Sequence, residues 1–115
     1  MSKLNIYSKS ILKKISINDG LRVCVMRRIK PEYKFDIWIP MLAPPEKLLN
    51  DYIISKKINW KKFSEKFNKQ VLSNNKHLIR ILISIAKIRK VTLLCFEEVD
   101  DYCHRSLIIK ECKKL

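Results

Sequence analysis

Two short apolar segments, far apart in the chain, constrain the fold most strongly. Residues 21–26 read Leu-Arg-Val-Cys-Val-Met, and residues 91–96 read Val-Thr-Leu-Leu-Cys-Phe. Neither segment shows the strict alternation of apolar and polar residues that a strand with one face in water requires. Near-continuous apolar runs of this length are typical of strands buried on both faces, which occur in parallel sheets. We therefore predict that these segments form parallel, adjacent strands.

Helical patterns fill most of the chain between and after these strands. Pro45 favours the start of a helix, because proline fits the first helical turn. Trp60, Phe63 and Phe67 recur at helical spacing, so they predict an amphipathic helix whose aromatic side packs on a core. The predicted helices cover residues 45–54, 60–71, 76–88 and about 102–114.

Strands that alternate with helices define the fold class. A weaker strand signal lies at residues 5–11, the apolar segment 35–42 is ambiguous, and Gly20 marks a turn before the first clear strand. We expect an α/β fold with a small parallel-type sheet of about three or four strands and helices on both faces. A length of 115 residues fits a single α/β domain over 1–115.

The composition excludes several classes of protein. A chain with 47% hydrophobic and 31% charged residues is not a disordered chain. Its apolar stretches fall far short of the ~20 residues that a membrane span needs. The first residues lack the apolar segment of a secretory signal. We therefore expect a cytoplasmic protein with no membrane partner.

The charge balance suggests a polyanionic partner. Lys and Arg number 25 against 11 Asp and Glu, which gives a net charge of +14. Such a charge attracts nucleic acid, and Lys62, Lys66 and Lys69 lie opposite the aromatic side of their predicted helix. Of the 25 basic residues, 19 are Lys, and an A/T-rich coding sequence also enriches Lys. A functional basic surface and a compositional bias both explain the charge.

The four cysteines are expected to be reduced thiols, because the chain shows no export signal. They form no C-x-x-C pair. Structural zinc sites usually combine two such close pairs, so we predict no metal site, and the sequence identifies no cofactor. Cys24 and Cys112 lie in apolar patterns and are interpreted as small core residues.

Polar and reactive residues follow both predicted strands. Ligands of parallel α/β sheets bind beyond the carboxyl ends of the strands. The last helix begins nearby, and a helix N-terminus favours an anion. The residues expected at this edge are Arg27, Cys95, Glu97, Cys103, His104 and Arg105.

These residues divide into two roles. Cys103 is the predicted nucleophile, because a helix N-terminus and nearby cations stabilise a thiolate. His104 would act as acid or base, and Glu97 would orient His104 or contact a cation. The predicted ligand-binding residues are Arg27, Arg105 and Cys95. Competing interpretations make Cys95 a core residue and the segment 103–105 a helix cap.

A family resemblance appears at the same residues. Leu93-Leu94-Cys95-Phe96-Glu97, followed by Cys103-His104-Arg105, resembles the LLC-aromatic-E … CHR signature of domain-of-unknown-function family 488, the YeaO-like group. Further similar segments are Asp19 to Val23, Asp36 to Ile39, Leu42 to Pro44 and Asn59 to Phe67. The chain departs from the family after Arg27, where an aromatic-Trp-Pro-Arg-Gly run is replaced by Arg28-Ile29-Lys30-Pro31-Glu32. The resemblance implies an α/β fold with a shared pocket and brings no reaction with it.

Two functional hypotheses follow. The first is a pocket for a small anion, phosphate-bearing or nucleotide-like, at the strand carboxyl ends, in a cysteine-dependent enzyme. The alternative is a basic nucleic-acid-binding module that uses Lys62, Lys66 and Lys69.

Overall fold

A four-stranded parallel sheet forms the centre of the protein. The computed structural model describes residues 4–96 and 103–114. The strands are β1 (Ile6–Ser10), β2 (Leu21–Cys24), β3 (Ile37–Trp38) and β4 (Val91–Cys95), in the order β1-β4-β2-β3. All three strand pairings are parallel. The predicted adjacency of the two apolar strands is confirmed, since β2 and β4 pair directly with Val23 opposite Leu93.

Four α-helices complete the described part of the chain: α1 (Glu46–Ile53), α2 (Trp60–Phe67), α3 (Lys76–Ile88) and α4 (His104–Lys114). The side chain of Asn59 caps α2 by accepting a hydrogen bond of 2.9 Å from the Lys62 amide. One π-helical turn, Asn68–Leu72, extends α2. The predicted helix to Val71 is therefore continuous, with a wider final turn. None of the described helices is long and apolar enough to cross a bilayer.

One face of the sheet belongs to the main core. Val23, Leu93 and Ile6 lie on this face, because paired strand residues share a side and alternate residues point the same way. They are almost fully buried, and helical side chains join them in one apolar cluster. The helical members include Leu48, Phe63, Phe67, Ile79, Leu82, Ala86, Leu107, Ile108 and Cys112.

The opposite face of the sheet is covered differently. Thr92 donates a hydrogen bond of 2.6 Å to the carbonyl of Asp19. The Asp19 carboxylate accepts from the guanidinium of Arg22 and, at 2.9 Å, from Nζ of Lys9. Asp19 lies in a 3-10 turn, Ile17–Asp19. The α/β class and the parallel sheet are confirmed. On this face, the polar contacts described above come from the Ile17–Asp19 turn.

Gly20 fixes the entry into β2. Its φ is +65°, a region that favours glycine, and an added Cβ would lie 2.4 Å from the carbonyl oxygen of Lys90. The next residue, Leu21, donates its amide to that same oxygen at 2.9 Å. The close approach aligns the start of β2 with the start of β4. Their carboxyl ends therefore meet at one edge of the sheet.

Candidate functional site

Two thiols and one imidazole meet at the carboxyl edge of the sheet. Cys95 is the last residue of β4, and Cys103 directly precedes His104, the first residue of α4. The Nδ1 atom of His104 lies 3.7 Å from Sγ of Cys95 and 3.8 Å from Sγ of Cys103. All three residues are buried. We refer to Cys95, Cys103 and His104 as the thiol–imidazole cluster.

The second ring nitrogen of His104 fixes the orientation of the imidazole. Nε2 lies 2.8 Å from the carbonyl oxygen of Val25, which directly follows β2. A carbonyl oxygen only accepts, so Nε2 carries hydrogen and donates it. In the neutral ring, Nδ1 then presents its lone pair to the two sulfurs. The ring of Phe67 packs against the imidazole with the ring centres 5.7 Å apart.

The cluster stabilises a thiolate. The pKa of Cys103 is lowered to about 5, chiefly because the thiol of Cys95 hydrogen-bonds to its sulfur. Burial opposes this shift, whereas the hydrogen bond and charge of His104 and the backbone amide of Arg105 favour it. The sequence predicted the direction from the helix N-terminus and the Arg105 charge. The structure gives the same direction with Cys95 as the main cause.

The cysteines outside the cluster show the opposite behaviour. Burial raises the pKa of Cys112 to about 12, and the neighbouring Glu111 contributes to the same shift. Burial also raises the pKa of Cys24, against a smaller opposing effect from the Met26 backbone. Both cysteines are almost fully buried, as expected for core residues. Burial by itself therefore does not make a thiol acidic in this protein.

A cavity of about 380 Å³ adjoins the cluster. Its lining consists of Met26, Arg27, Arg28, Pro44, Glu46, Leu49, Asn50, Cys95, Phe96 and His104. Two members of the cluster, Cys95 and His104, thus form part of its wall. The chain that enters α1 supplies much of the remaining wall. The sequence did not predict that the chain entering α1 lines the cavity. Two signals were present there, since Pro44 belongs to the segment that resembles family 488 and Pro45 indicated the start of the helix.

Two arginines give the cavity its cationic side. Nε of Arg27 donates a hydrogen bond of 3.1 Å to the carbonyl of Pro44, which holds the guanidinium at the cavity wall. Arg28 pairs with the carboxylate of Glu46 instead. The positive charge of Arg28 is therefore offset within the protein. Arg27 is the arginine better placed to contact an anion.

The other predicted residues lie in different positions. The Arg105 side chain is fully buried, and it is not part of the cavity lining. Its predicted role in ligand binding stays a prediction. Glu97 lies outside the described residues. Lys62, Lys66 and Lys69 line a separate surface depression together with Glu65, Gln70 and Asn74.

These features define a class: a small parallel α/β fold with a thiol–imidazole cluster and a cavity at the strand carboxyl ends. A family model described as the active DUF488-N3 subclade matches residues 6–114. The chain belongs to this family, and the resemblance to family 488 is confirmed. Comparisons with curated proteins and with solved structures find no match.

Proposed function

We propose that this protein is a thiol-dependent enzyme that acts on a small anionic ligand bound in the cavity. The observation that carries the proposal is geometric: the sulfurs of Cys95 and Cys103 converge on one imidazole nitrogen of His104. His104 and Cys95 line a cavity that also presents Arg27. Nucleophilic cysteines are commonly activated by an adjacent imidazole that a further group holds in place. Here the Val25 carbonyl holds it. The description of the matching family model as an active subclade supports an enzymatic role.

Each member of the cluster has a role in this proposal. Cys103 is the nucleophile, and Cys95 stabilises its thiolate as a hydrogen-bond donor. The thiolate attacks an electrophilic carbon of the ligand, so that a sulfur–carbon bond forms and the bond to the leaving group breaks. The leaving group departs with the electron pair of that bond and takes from Nδ1 of His104 the proton that Nδ1 had accepted from the Cys103 thiol. Water then attacks the same carbon while Nδ1 accepts a proton from it, and the sulfur–carbon bond breaks to release Cys103 as the thiolate.

The ligand class follows from the charge of the cavity. Arg27 presents a guanidinium, which suits phosphate and carboxylate groups. The pairing of Arg28 with Glu46 leaves one arginine as the principal anion contact. A single phosphate or carboxylate group therefore fits better than a chain of phosphates. The sequence comparison agrees with this, because the arginine of the family's aromatic-Trp-Pro-Arg-Gly run after Arg27 is absent from this chain.

A pair of alkylating agents tests both parts of the proposal. Iodoacetate and iodoacetamide alkylate thiolates by the same displacement of iodide but differ in charge, so each rate is divided by the rate of the same reagent with a free thiol. We expect iodoacetate to modify the cluster faster than iodoacetamide, and Arg27→Gln to remove that preference. Arg80→Gln, an exposed arginine on α3, is the matched control and should leave it unchanged. Equal relative rates for the two reagents in the unsubstituted protein would contradict anion binding beside the thiols.

A second candidate function rests on the lysine surface. Lys62, Lys66 and Lys69 project from α2 and its final turn into one depression, so they could contact successive phosphates of a nucleic acid. Glu65 lies in the same depression and weakens its positive potential. The test is binding of single- and double-stranded oligonucleotides at two salt concentrations. Affinity should fall steeply with salt if several phosphates are contacted, and substitution of all three lysines by Gln should abolish it.

A further inference from the structure

We propose that the thiol–imidazole cluster binds one thiophilic divalent cation, with Zn²⁺ as the best match. The sulfur atoms of Cys95 and Cys103 and a ring nitrogen of His104 all lie within 4.8 Å of one another. All three side chains are buried. The sequence predicted no metal site because no C-x-x-C pair exists. The structure assembles these ligand types from the end of one strand and the start of one helix.

The distances match a tetrahedral zinc site. With zinc–sulfur bonds of about 2.3 Å and zinc–nitrogen bonds of about 2.05 Å, tetrahedral geometry places sulfur about 3.6 Å from nitrogen. The observed distances from Nδ1 are 3.7 Å to Cys95 and 3.8 Å to Cys103. The same bond lengths place the two sulfurs about 3.8 Å apart, within the 4.8 Å limit that the three atoms share. Small movements of the side chains would suffice for binding.

The orientation of His104 also suits a metal ligand. Metal-bound histidines usually donate their second ring N–H to a carbonyl or carboxylate, which fixes the tautomer. Nε2 of His104 has this contact with the Val25 carbonyl. Nδ1 has one lone pair and faces two sulfurs. A cation placed between the three side chains could bind that lone pair and both sulfurs.

Charge and ligand type select the cation. Two thiolates cancel the double charge of Zn²⁺, which makes burial of the ion feasible. Sulfur and imidazole ligands favour zinc, whereas Mg²⁺ and Ca²⁺ prefer oxygen. Three protein ligands leave a fourth tetrahedral position, the arrangement of catalytic rather than structural zinc. Since Cys95 and His104 line the cavity, we infer that this position faces it, where Arg27 would favour an anionic fourth ligand.

Metal binding does not rest on the proposed nucleophilic role. The two sulfurs are ligands in the metal-bound form and are available for attack only in the metal-free form. The two states of the same cluster therefore make opposite predictions for thiol alkylation. This difference allows each proposal to fail separately.

Cobalt provides the direct test, because Co²⁺ replaces Zn²⁺ in such sites and absorbs visible light when tetrahedral and thiolate-bound. The reduced, chelator-treated full chain is titrated with Co²⁺ and then with Zn²⁺. We expect one Co²⁺ per chain, with sulfur-to-cobalt charge-transfer bands that Zn²⁺ abolishes. Absence of these bands at a large excess of Co²⁺ would overturn the metal site.

Variants locate the cation. Cys95→Ser and Cys103→Ser should each weaken binding by about 100-fold or more, since loss of even an outer-shell partner weakens metal sites by about 10–100-fold. Cys112→Ser removes a buried thiol from the same helix, outside the cluster, and should leave binding unchanged. Full binding in both cluster variants would place the ion elsewhere and overturn the proposal.

A measurement on the unsubstituted protein covers the case in which the cluster variants do not fold. Zn²⁺ should suppress alkylation of Cys95 and Cys103, as followed by mass spectrometry. Unchanged alkylation at saturating Zn²⁺ would overturn the metal site. If alkylation of the metal-free chain still favours iodoacetate in that case, the proposed thiol chemistry survives without the metal.

Discussion

The sheet carries two buried polar clusters, and they differ in how their charges are balanced. On one face, the carboxylate of Asp19 pairs with the cations of Arg22 and Lys9 beside the Ile17–Asp19 turn. At the carboxyl edge, Cys95, Cys103 and His104 contact one another beside a cavity. The first cluster balances a carboxylate with two cations. The second stabilises a thiolate on Cys103 next to a cavity, so two buried polar clusters of the same sheet differ in chemistry.

The largest expected effect is on stability at the charge-paired cluster. Asp19→Asn removes the carboxylate and leaves the buried guanidinium of Arg22 without its counter-charge. We expect the free energy of unfolding to fall by about 3 kcal/mol, because breaking a buried ion pair leaves an uncompensated charge. Denaturant unfolding measures the loss. Glu46→Gln, which breaks the exposed pair with Arg28, is the control and should change the free energy of unfolding far less, because water screens an exposed pair. Equal losses would contradict a structural role for the buried pair.

Acid should destabilise the same cluster. Burial acts to raise the pKa of Asp19, but hydrogen bonds from Lys9, the Ser16 amide and Arg22 outweigh it, so the pKa is lowered. A carboxyl group with a lowered folded-state pKa stabilises the fold fully above its unfolded pKa of about 3.9. That stability is lost as the pH falls through the folded-state value. Urea unfolding from pH 6 down to pH 2 should show the decline. A decline of the same size in Asp19→Asn would assign it to other carboxylates.

The smallest stability effect is expected at the thiol–imidazole cluster. Cys103→Ser keeps a small polar side chain beside His104, so it should change the free energy of unfolding by about 1 kcal/mol or less. The same variant should lose the fast-reacting thiol. Chemical denaturation and site-resolved alkylation of one sample measure both effects. A stability loss comparable to that of Asp19→Asn would make this cluster a structural element like the first.

The α/β class and the pairing of β2 with β4 could be predicted because apolar segments and helical spacing are local signals. The extent of α3 was predicted as residues 76–88, as observed. The polar contacts on the face of the sheet that carries Thr92 could not be predicted. Asp19 and Thr92 are 73 residues apart, and no local sequence pattern links them. The turn signal at residues 18–20 predicted the turn itself, but it did not predict which side chains contact the turn.

The site was predictable in part for the same reason. The rule that ligands bind at strand carboxyl ends brought Cys95, Cys103 and Arg27 to one edge. It could not show that Cys95 contacts Cys103, because the contact depends on how α4 is placed against β4. For that reason the sequence predicted that Arg105 stabilises the Cys103 thiolate, whereas in the structure Cys95 is the main cause of the lowered pKa of Cys103.

Site-resolved alkylation as a function of pH tests the central claim, that the cluster holds a reactive thiolate at pH 7. The metal-free protein is reacted with iodoacetamide between pH 4 and pH 10, and each cysteine is quantified by mass spectrometry. The account predicts that the Cys103 rate reaches half of its maximum near pH 5, while Cys24 and Cys112 stay slow throughout. A Cys103 rate that rises only near the pKa of an ordinary thiol, about 8.5, would contradict it.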